Sequence, residues 1–201
     1  MKKTAFAVLL MCQLMVFGRP AYAADLLNTT PAPPPAAPVA LSPFTGFEAR
    51  FGGIAHSLLH RAEQSADINL EVLSPRYGNA SGNPFLDFVI RPRLVAGGNI
   101  NLDRFRNQAY AGLVWTFDFN DRFAFELGWN ALVHDGPNNP GVGSNQLALG
   151  CSLLFRESFA FTYKFADNWK VVASFDHGSN AGFCRRNVGI NNAGVKIGYT
   201  F

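Results

Sequence analysis

From about residue 45 to residue 201 the chain alternates apolar and polar residues with a period of two, and this alternation limits what it can fold into. Ala109, Ala111, Leu113, Trp115, Phe117 and Phe119 interleave with Tyr110, Thr116 and Asp118. Phe123, Phe125, Leu127, Trp129, Ala131 and Val133 interleave with Glu126, Asn130 and His134. Side chains at i and i+2 share one face of a β-strand, so each such segment has an aromatic-rich face and a charged face. No helical stripe of 3.6-residue period and no long uninterrupted apolar segment competes with this reading.

A soluble sandwich also alternates, so the pattern alone leaves the solvent open. Three features favour a membrane barrel. The first is an export signal: Lys2 and Lys3, an apolar run from Ala5 to Phe17, and the cleavage-type triplet Ala21-Tyr22-Ala23 predict a signal peptide over 1–23. A membrane anchor is the rival, but Gln13 interrupts the run, which is short for a bilayer-spanning helix. The second is the 19 Phe among 201 residues. The third is the ending Tyr199-Thr200-Phe201, which resembles the C-terminal signature of bacterial outer-membrane barrels. Residues 24–43 are rich in Pro and Ala and predict an extended lead-in. Residues 44–201 are then one domain, an all-β, eight-stranded antiparallel barrel in the outer membrane, with its greasy face to lipid and its charged face inward.

Strands are expected at 45–57, 66–74, 84–98, 107–119, 122–134, 146–166, 168–179 and 191–201. The sixth is read as one long strand because the odd phase runs unbroken from Leu147 to Phe165. Glu48, Arg50, Glu71, Arg91, Arg93 and Glu126 are candidates to pair in the interior. Asn120-Asp121 and Asp167-Asn168 read as tight periplasmic turns, and 135–145 and 180–190 as longer outward loops. The connection from Ser74 to Asn83 is longer than a periplasmic turn should be. After the signal peptide only Cys151 and Cys184 remain, too few for a disulfide framework; one bridge between them is allowed but not required. A net charge of +3 with scattered basic residues argues against nucleic acid and permits an anionic surface such as lipopolysaccharide.

Candidate chemistry lies on the seventh strand, whose odd phase is Trp169, Val171, Ala173, Phe175, His177, Ser179. His177 and Ser179 therefore share the lipid-facing stripe near the outer end, where an imidazole can serve as base to a neighbouring hydroxyl. The bland alternative is two polar residues at the membrane interface. His56, His60, His134 and His177 lack ligand spacing, so neither a metal nor another cofactor is expected.

His177-Gly178-Ser179-Asn180-Ala181, then Asn187-x-Gly189 and the ending Gly194-Val195-Lys196-Ile197-Gly198-Tyr199-Thr200-Phe201, resemble the lipid A 3-O-deacylases, the PagL-like outer-membrane esterases. The resemblance implies an eight-stranded barrel that removes the ester-linked acyl chain at position 3 of lipid A with a triad on its outer surface. Ser179 would be nucleophile and His177 general base. Asn187 and the backbone N–H of Gly182 would stabilise the oxyanion, with Phe155 and Asn180 at the substrate. The position matching the family's triad glutamate is Asn191, which orients an imidazole but carries no charge. A hairpin centred on Asp167 places residue 157 opposite residue 177, so Glu157 is the other candidate for third member. Asp176 has the inward phase and belongs with the interior.

The sequence thus reads as an outer-membrane esterase whose partner is lipid A or lipopolysaccharide in the outer leaflet. Its rival is a catalytically inactive structural or adhesive barrel. An acyltransferase would need an acceptor site for which the sequence offers no support. Pairing of two copies as a homodimer stays open.

Overall fold

Hydrocarbon offers no partner to a backbone N–H or C=O, so strands that cross it must pair on both edges. The computed structural model, which describes residues 46–201, meets this condition by closing on itself. The signal peptide and the Pro/Ala-rich segment expected over 1–43 lie outside the described residues. Eight antiparallel strands, Glu48–His56 (β1), Ser65–Leu73 (β2), Arg93–Asn101 (β3), Gln108–Asp118 (β4), Phe123–His134 (β5), Leu153–Lys164 (β6), Trp169–Ser179 (β7) and Ile190–Thr200 (β8), pair in sequence order. β1 then pairs with β8, from Glu48 opposite Thr200 to Ala55 opposite Ala193. The turns 119–122 and 165–168 lie at one end, while the connections 57–64, 135–152 and 180–189 lie at the other.

Polar inward residues fill the interior. Arg50 is its hub: the guanidinium makes two 2.7 Å hydrogen bonds to the Glu126 carboxylate, one of 2.6 Å to Glu48 and one of 3.2 Å to Glu71. Arg93 and Lys170 complete the shell of Glu48, at 2.8 and 3.0 Å. Lys196 and the Tyr110 hydroxyl complete that of Glu71. Arg156 donates to Asn130 and Asp176 and stacks over the Tyr110 ring at 3.9 Å. Each of these charges is paired with an opposite charge, and Arg50, Glu48, Glu71 and Arg156 have several partners, the condition under which buried ions can be accommodated. Of the residues expected here, Arg91 does not join: its guanidinium donates to the Tyr77 carbonyl and lies 3.7 Å from Asp87.

The outward phase is apolar: Phe51, Leu70, Ile100, Phe161 and Val195 are all more than half exposed, which in this setting means facing lipid. Paired rings mark the end that carries the tight turns, with Phe123–Tyr163 centroids 4.8 Å apart and Trp169–Tyr199 4.9 Å apart. Aromatic residues at such a level form the girdle at a membrane–water interface.

Two strands differ from expectation. Residues 84–90 form a helix, Pro84–Ile90 (α1), and β3 starts only at Arg93. Asn83 caps α1 by accepting from the Phe85 and Leu86 amides, Pro84 occupies the first turn, and Asp87 complements the helix dipole. Local start signals thus overrode an apparent alternation of Leu86, Phe88 and Ile90. Phe85, Leu86, Val89 and Ile90 stay exposed on the helix. Phe88 meets Phe117 of β4 edge-on, and Trp115 Nε1 donates to the Val89 carbonyl. The long β2–β3 connection is therefore a helix laid against the barrel's outside.

The strand expected over 146–166 begins only at Leu153. Gly150 stands at φ +82°, a left-handed conformation that ends extended pairing, and the unbroken odd phase concealed it. Leu147 and Leu149 do not face lipid; they are buried in a cluster with Leu132, Leu154 and Ile190. Cys151 and Cys184 form a disulfide that joins the β5–β6 and β7–β8 connections.

Glu63, in the β1–β2 connection, locks the mouth. It takes two 2.5 Å hydrogen bonds from Arg106 and one of 2.9 Å from the Leu147 amide. Burial pushes its carboxyl up, but the His56 ring 3.7 Å away and the hydrogen bonds from Arg106 and the Leu147 amide prevail and hold it at about 2, against an ordinary 4.5. A carboxyl lowered on folding contributes stability that is fully present above 4.5 and is lost as pH falls towards 2. Glu63→Gln should therefore be less stable than wild type at neutral pH and converge with it across that window in thermal unfolding. Glu126→Ala, which leaves Arg50 short of its best partner, should cost about 3–5 kcal/mol, read from urea midpoints in detergent micelles.

Candidate active site

β7 carries both candidate residues and is flanked by the strands that carry their partners. The alternation that turns Asp176 inward, where it bonds Arg156 and Asn192, turns His177 and Ser179 outward. On one side His177 stands opposite Glu157 of β6, the register expected from the hairpin, and Ser179 stands opposite Phe155. On the other side His177 stands opposite Asn191 of β8. The sequence thus places one imidazole between both of its candidate partners.

The hydrogen bond goes to Asn191: His177 Nδ1 lies 2.8 Å from Asn191 Oδ1. With the amide oxygen as acceptor, the ring carries its proton on Nδ1 and leaves Nε2 basic. Asn191 is buried, and its own carbonyl accepts from the Leu58 amide at 2.7 Å. Glu157 is half-buried and makes no hydrogen bond or ion pair among the described residues. Gly189 borders the ring: a Cβ there would sit 2.9 Å from His177 Cε1, and its φ of +76° also favours glycine. The Ser179 hydroxyl is half-buried and makes no hydrogen bond among the described residues, so it is not engaged with His177 in this state.

Asn180 proves to be the organiser of the loop that follows. Its Nδ2 donates to the carbonyls of Leu149 and Arg186, at 2.7 and 2.6 Å, and its Oδ1 accepts from the amides of Gly182 and Cys184. Its backbone N–H donates to Asn187 Oδ1 at 3.0 Å. Two consequences follow for the oxyanion candidates. The Gly182 N–H is already committed to Asn180 Oδ1, at 2.9 Å. Asn187, by contrast, has its oxygen fixed and its Nδ2 left to donate, the arrangement an oxyanion donor needs.

A cavity of about 470 Å³ is lined by Trp129, Ala131, Leu153, Phe155 and Phe183, together with Cys151 and Asn180; of these, Phe155 stands opposite Ser179 and Asn180 follows it in the chain. The cavity opens on the lipid-facing side, and two of its lining rings, Phe155 and Phe183, pack against each other with centroids 6.0 Å apart. Trp129 was not singled out from the sequence, and the Cys151–Cys184 bridge was left open there. Trp129 is one aromatic among many in the outward phase, and the spacing of two cysteines carries no pairing information. Gly189 was noted only as part of Asn187-x-Gly189, since its role depends on a neighbour that the fold supplies.

A basic imidazole nitrogen, a hydroxyl two residues away, an amide donor and an apolar slot fit acyl-ester chemistry on a membrane substrate. The family model for lipid A 3-O-deacylase (PagL) matches residues 96–200. The crystal structure of the outer membrane enzyme PagL superimposes with a TM-score of 0.52 at 19% identity, over 77% of this chain and 99% of that one. The N-terminal β-barrel domain of Pseudomonas aeruginosa OprF gives 0.53 at 11% identity, over 78% and 98%. At such identities these likenesses speak for the fold alone. No curated protein matches the sequence. The family match takes in five whole strands, β4 to β8, most of β3 and the loop that bears Asn187, just over half of the 201 residues. The chain therefore belongs to the lipid A 3-O-deacylase (PagL) family, as an outer-membrane barrel of the lipid A deacylase type.

Proposed function

We propose that this barrel hydrolyses the 3-O-linked acyl ester of lipid A with Ser179 as nucleophile and His177 as general base. The carrying observation is the oriented imidazole: Asn191 holds Nδ1, Nε2 is left basic, and a hydroxyl free of other bonds lies two residues away on the same lipid-facing stripe. Lipid A sits in the outer leaflet, so its ester can approach this face laterally without leaving the bilayer. The acyl chain occupies the cavity between Trp129 and Phe155, and the sugar stays at the level of the β7–β8 loop. All of these residues come from one chain, so the reading does not require a homodimer.

Ser179 Oγ attacks the ester carbonyl carbon as Nε2 of His177 takes its proton, and the oxyanion that forms accepts a hydrogen bond from Asn187 Nδ2. Collapse breaks the C–O bond to the sugar, whose oxygen takes the proton from His177. The acyl group is left on Ser179. Water then attacks the acyl carbonyl, giving its proton to His177, and Ser179 Oγ recovers that proton as the fatty acid leaves. Asn191 fixes the tautomer but adds no charge opposite the imidazolium. Glu157, in register on β6, is the carboxylate that can supply it.

Mass spectrometry of lipid A from cells that express the protein should show loss of one acyl chain, and Ser179→Ala should reduce turnover at least about 10⁴-fold. Unchanged lipid A with correctly folded wild type would sink the proposal. Asn191→Ala should lower kcat by about 10-fold or more, and Asn191→Glu should raise it above wild type by placing a charge at Nδ1. If Glu157→Gln leaves kcat unchanged in the wild-type background, the role assigned to that carboxylate is wrong.

A further inference from the structure

The loop between β7 and β8 bears the residue that must donate to the oxyanion, yet it has little packing of its own. Ala181, Gly182, Phe183 and residues 185–188 are all exposed. The apolar burial that normally fixes a loop is lacking here, so another part of the chain must set its position.

That part is the β5–β6 connection. Asn180 Nδ2 donates to the Leu149 carbonyl, the Val188 amide donates to the Ala148 carbonyl at 3.3 Å, and Cys151 is bonded to Cys184. Gly150 sits against the Arg186 carbonyl, where no Cβ would fit. The connection is anchored in turn. Leu147 and Leu149 are buried, the Leu147 amide and carbonyl are held by Glu63 and Arg106, and Gly150 N–H donates to Asn138 O at 2.8 Å. The chain of attachment runs from the rigid mouth of the barrel, through residues 147–151, to residues 180–188.

We infer that the Cys151–Cys184 disulfide and Asn180 are positioning residues that splint the β7–β8 loop to the β5–β6 connection and so aim the Asn187 amide at the oxyanion. Turnover then depends on the bridge staying closed. This rests on the esterase reading and adds to it a dependence on thiol state. Asn180 transmits the position, because its backbone N–H holds Asn187 Oδ1 and thereby leaves Nδ2 to point away. The disulfide keeps that frame closed at the far side of the loop. It also borders the acyl cavity, so the oxyanion donor and the chain slot are fixed by one element.

The test is a double-mutant cycle between Cys151→Ser/Cys184→Ser and Asn187→Ala on the full chain in outer-membrane preparations, with lipid A as substrate. The heat-modifiable electrophoretic shift of barrels verifies folding of every variant. Loss of the bridge should lower kcat about 10- to 100-fold, the effect of ångström-scale misplacement of a reacting group. In the Asn187→Ala background the same change should lower kcat less than about twofold, because the donor it positions is already gone. Reduction of wild type by a dithiol, which yields two protein thiols and the reagent's cyclic disulfide, followed by alkylation, should reproduce the loss without altering the sequence. Asn180→Ala should behave as the bridge variant does.

Retention of wild-type kcat without the bridge, or full multiplication of the two losses, would overturn the inference while leaving the esterase reading intact. A wild type no more active than Ser179→Ala would instead remove the reading on which it rests.

Discussion

Everything in this structure depends on the requirement that a chain in hydrocarbon satisfy its own backbone. Closure of β1 on β8 meets it and leaves no free edge within the membrane. Closure also removes choice: on each strand one phase must meet lipid and the other must fill a narrow interior. The interior phase here is charged, and it is tolerable because the ions are paired in a network, with Arg50 contacting three carboxylates. A one-residue slip of any strand would carry these ions into lipid, so register is held by electrostatics as well as by hydrogen bonds.

Under the esterase reading the same rule makes β7 a scaffold for chemistry. Asp176 and His177 are adjacent in sequence yet lie on opposite sides of the wall, one in the ion network and the other beside lipid. A strand holds its outward residues at fixed spacing and takes partners from both neighbours at the same level. His177 therefore stands opposite Glu157 on one side and Asn191 on the other without a loop having to place either. Loops supply only what a flat strand face cannot: the clearance at Gly189, the wall of the cavity formed by Phe183 and, under the esterase reading, the donor Asn187.

Legibility from sequence followed the same division. Where side-chain phase decides, the sequence was sufficient: the count of eight strands and the outward phase of His177 and Ser179 come from period-two counting, and the pairing of residues 157 and 177 from the turn at Asp167, while the barrel itself needed the export signal, the Phe content and the aromatic ending as well. Where a local conformation overrides phase, it misled. Asn83-Pro84 starts a helix despite alternating neighbours, and Gly150 ends a strand despite an unbroken odd phase. The committed state of the Gly182 N–H and the hub role of Asn180 were out of reach, because both depend on contacts between connections distant in sequence. Asn180 was expected at the substrate, and it borders the cavity, but its polar groups serve the loop.

An asparagine beside the imidazole follows a physical logic in this setting. A carboxylate at Nδ1 would strengthen the base but must be desolvated close to hydrocarbon, a cost that falls on the folded protein whether or not substrate is bound. Asn191 fixes the same tautomer through a neutral amide and can be buried at lower cost. The charge that the imidazolium needs during turnover can then, under the esterase reading, come from Glu157, which is only half-buried. Under the esterase reading the two tasks of a triad's third member, orientation and charge, are divided between the strands on either side of β7. Such a division raises the barrier relative to a buried carboxylate and lowers the burden on stability. A barrel can make that exchange because its wall presents both neighbours at one level.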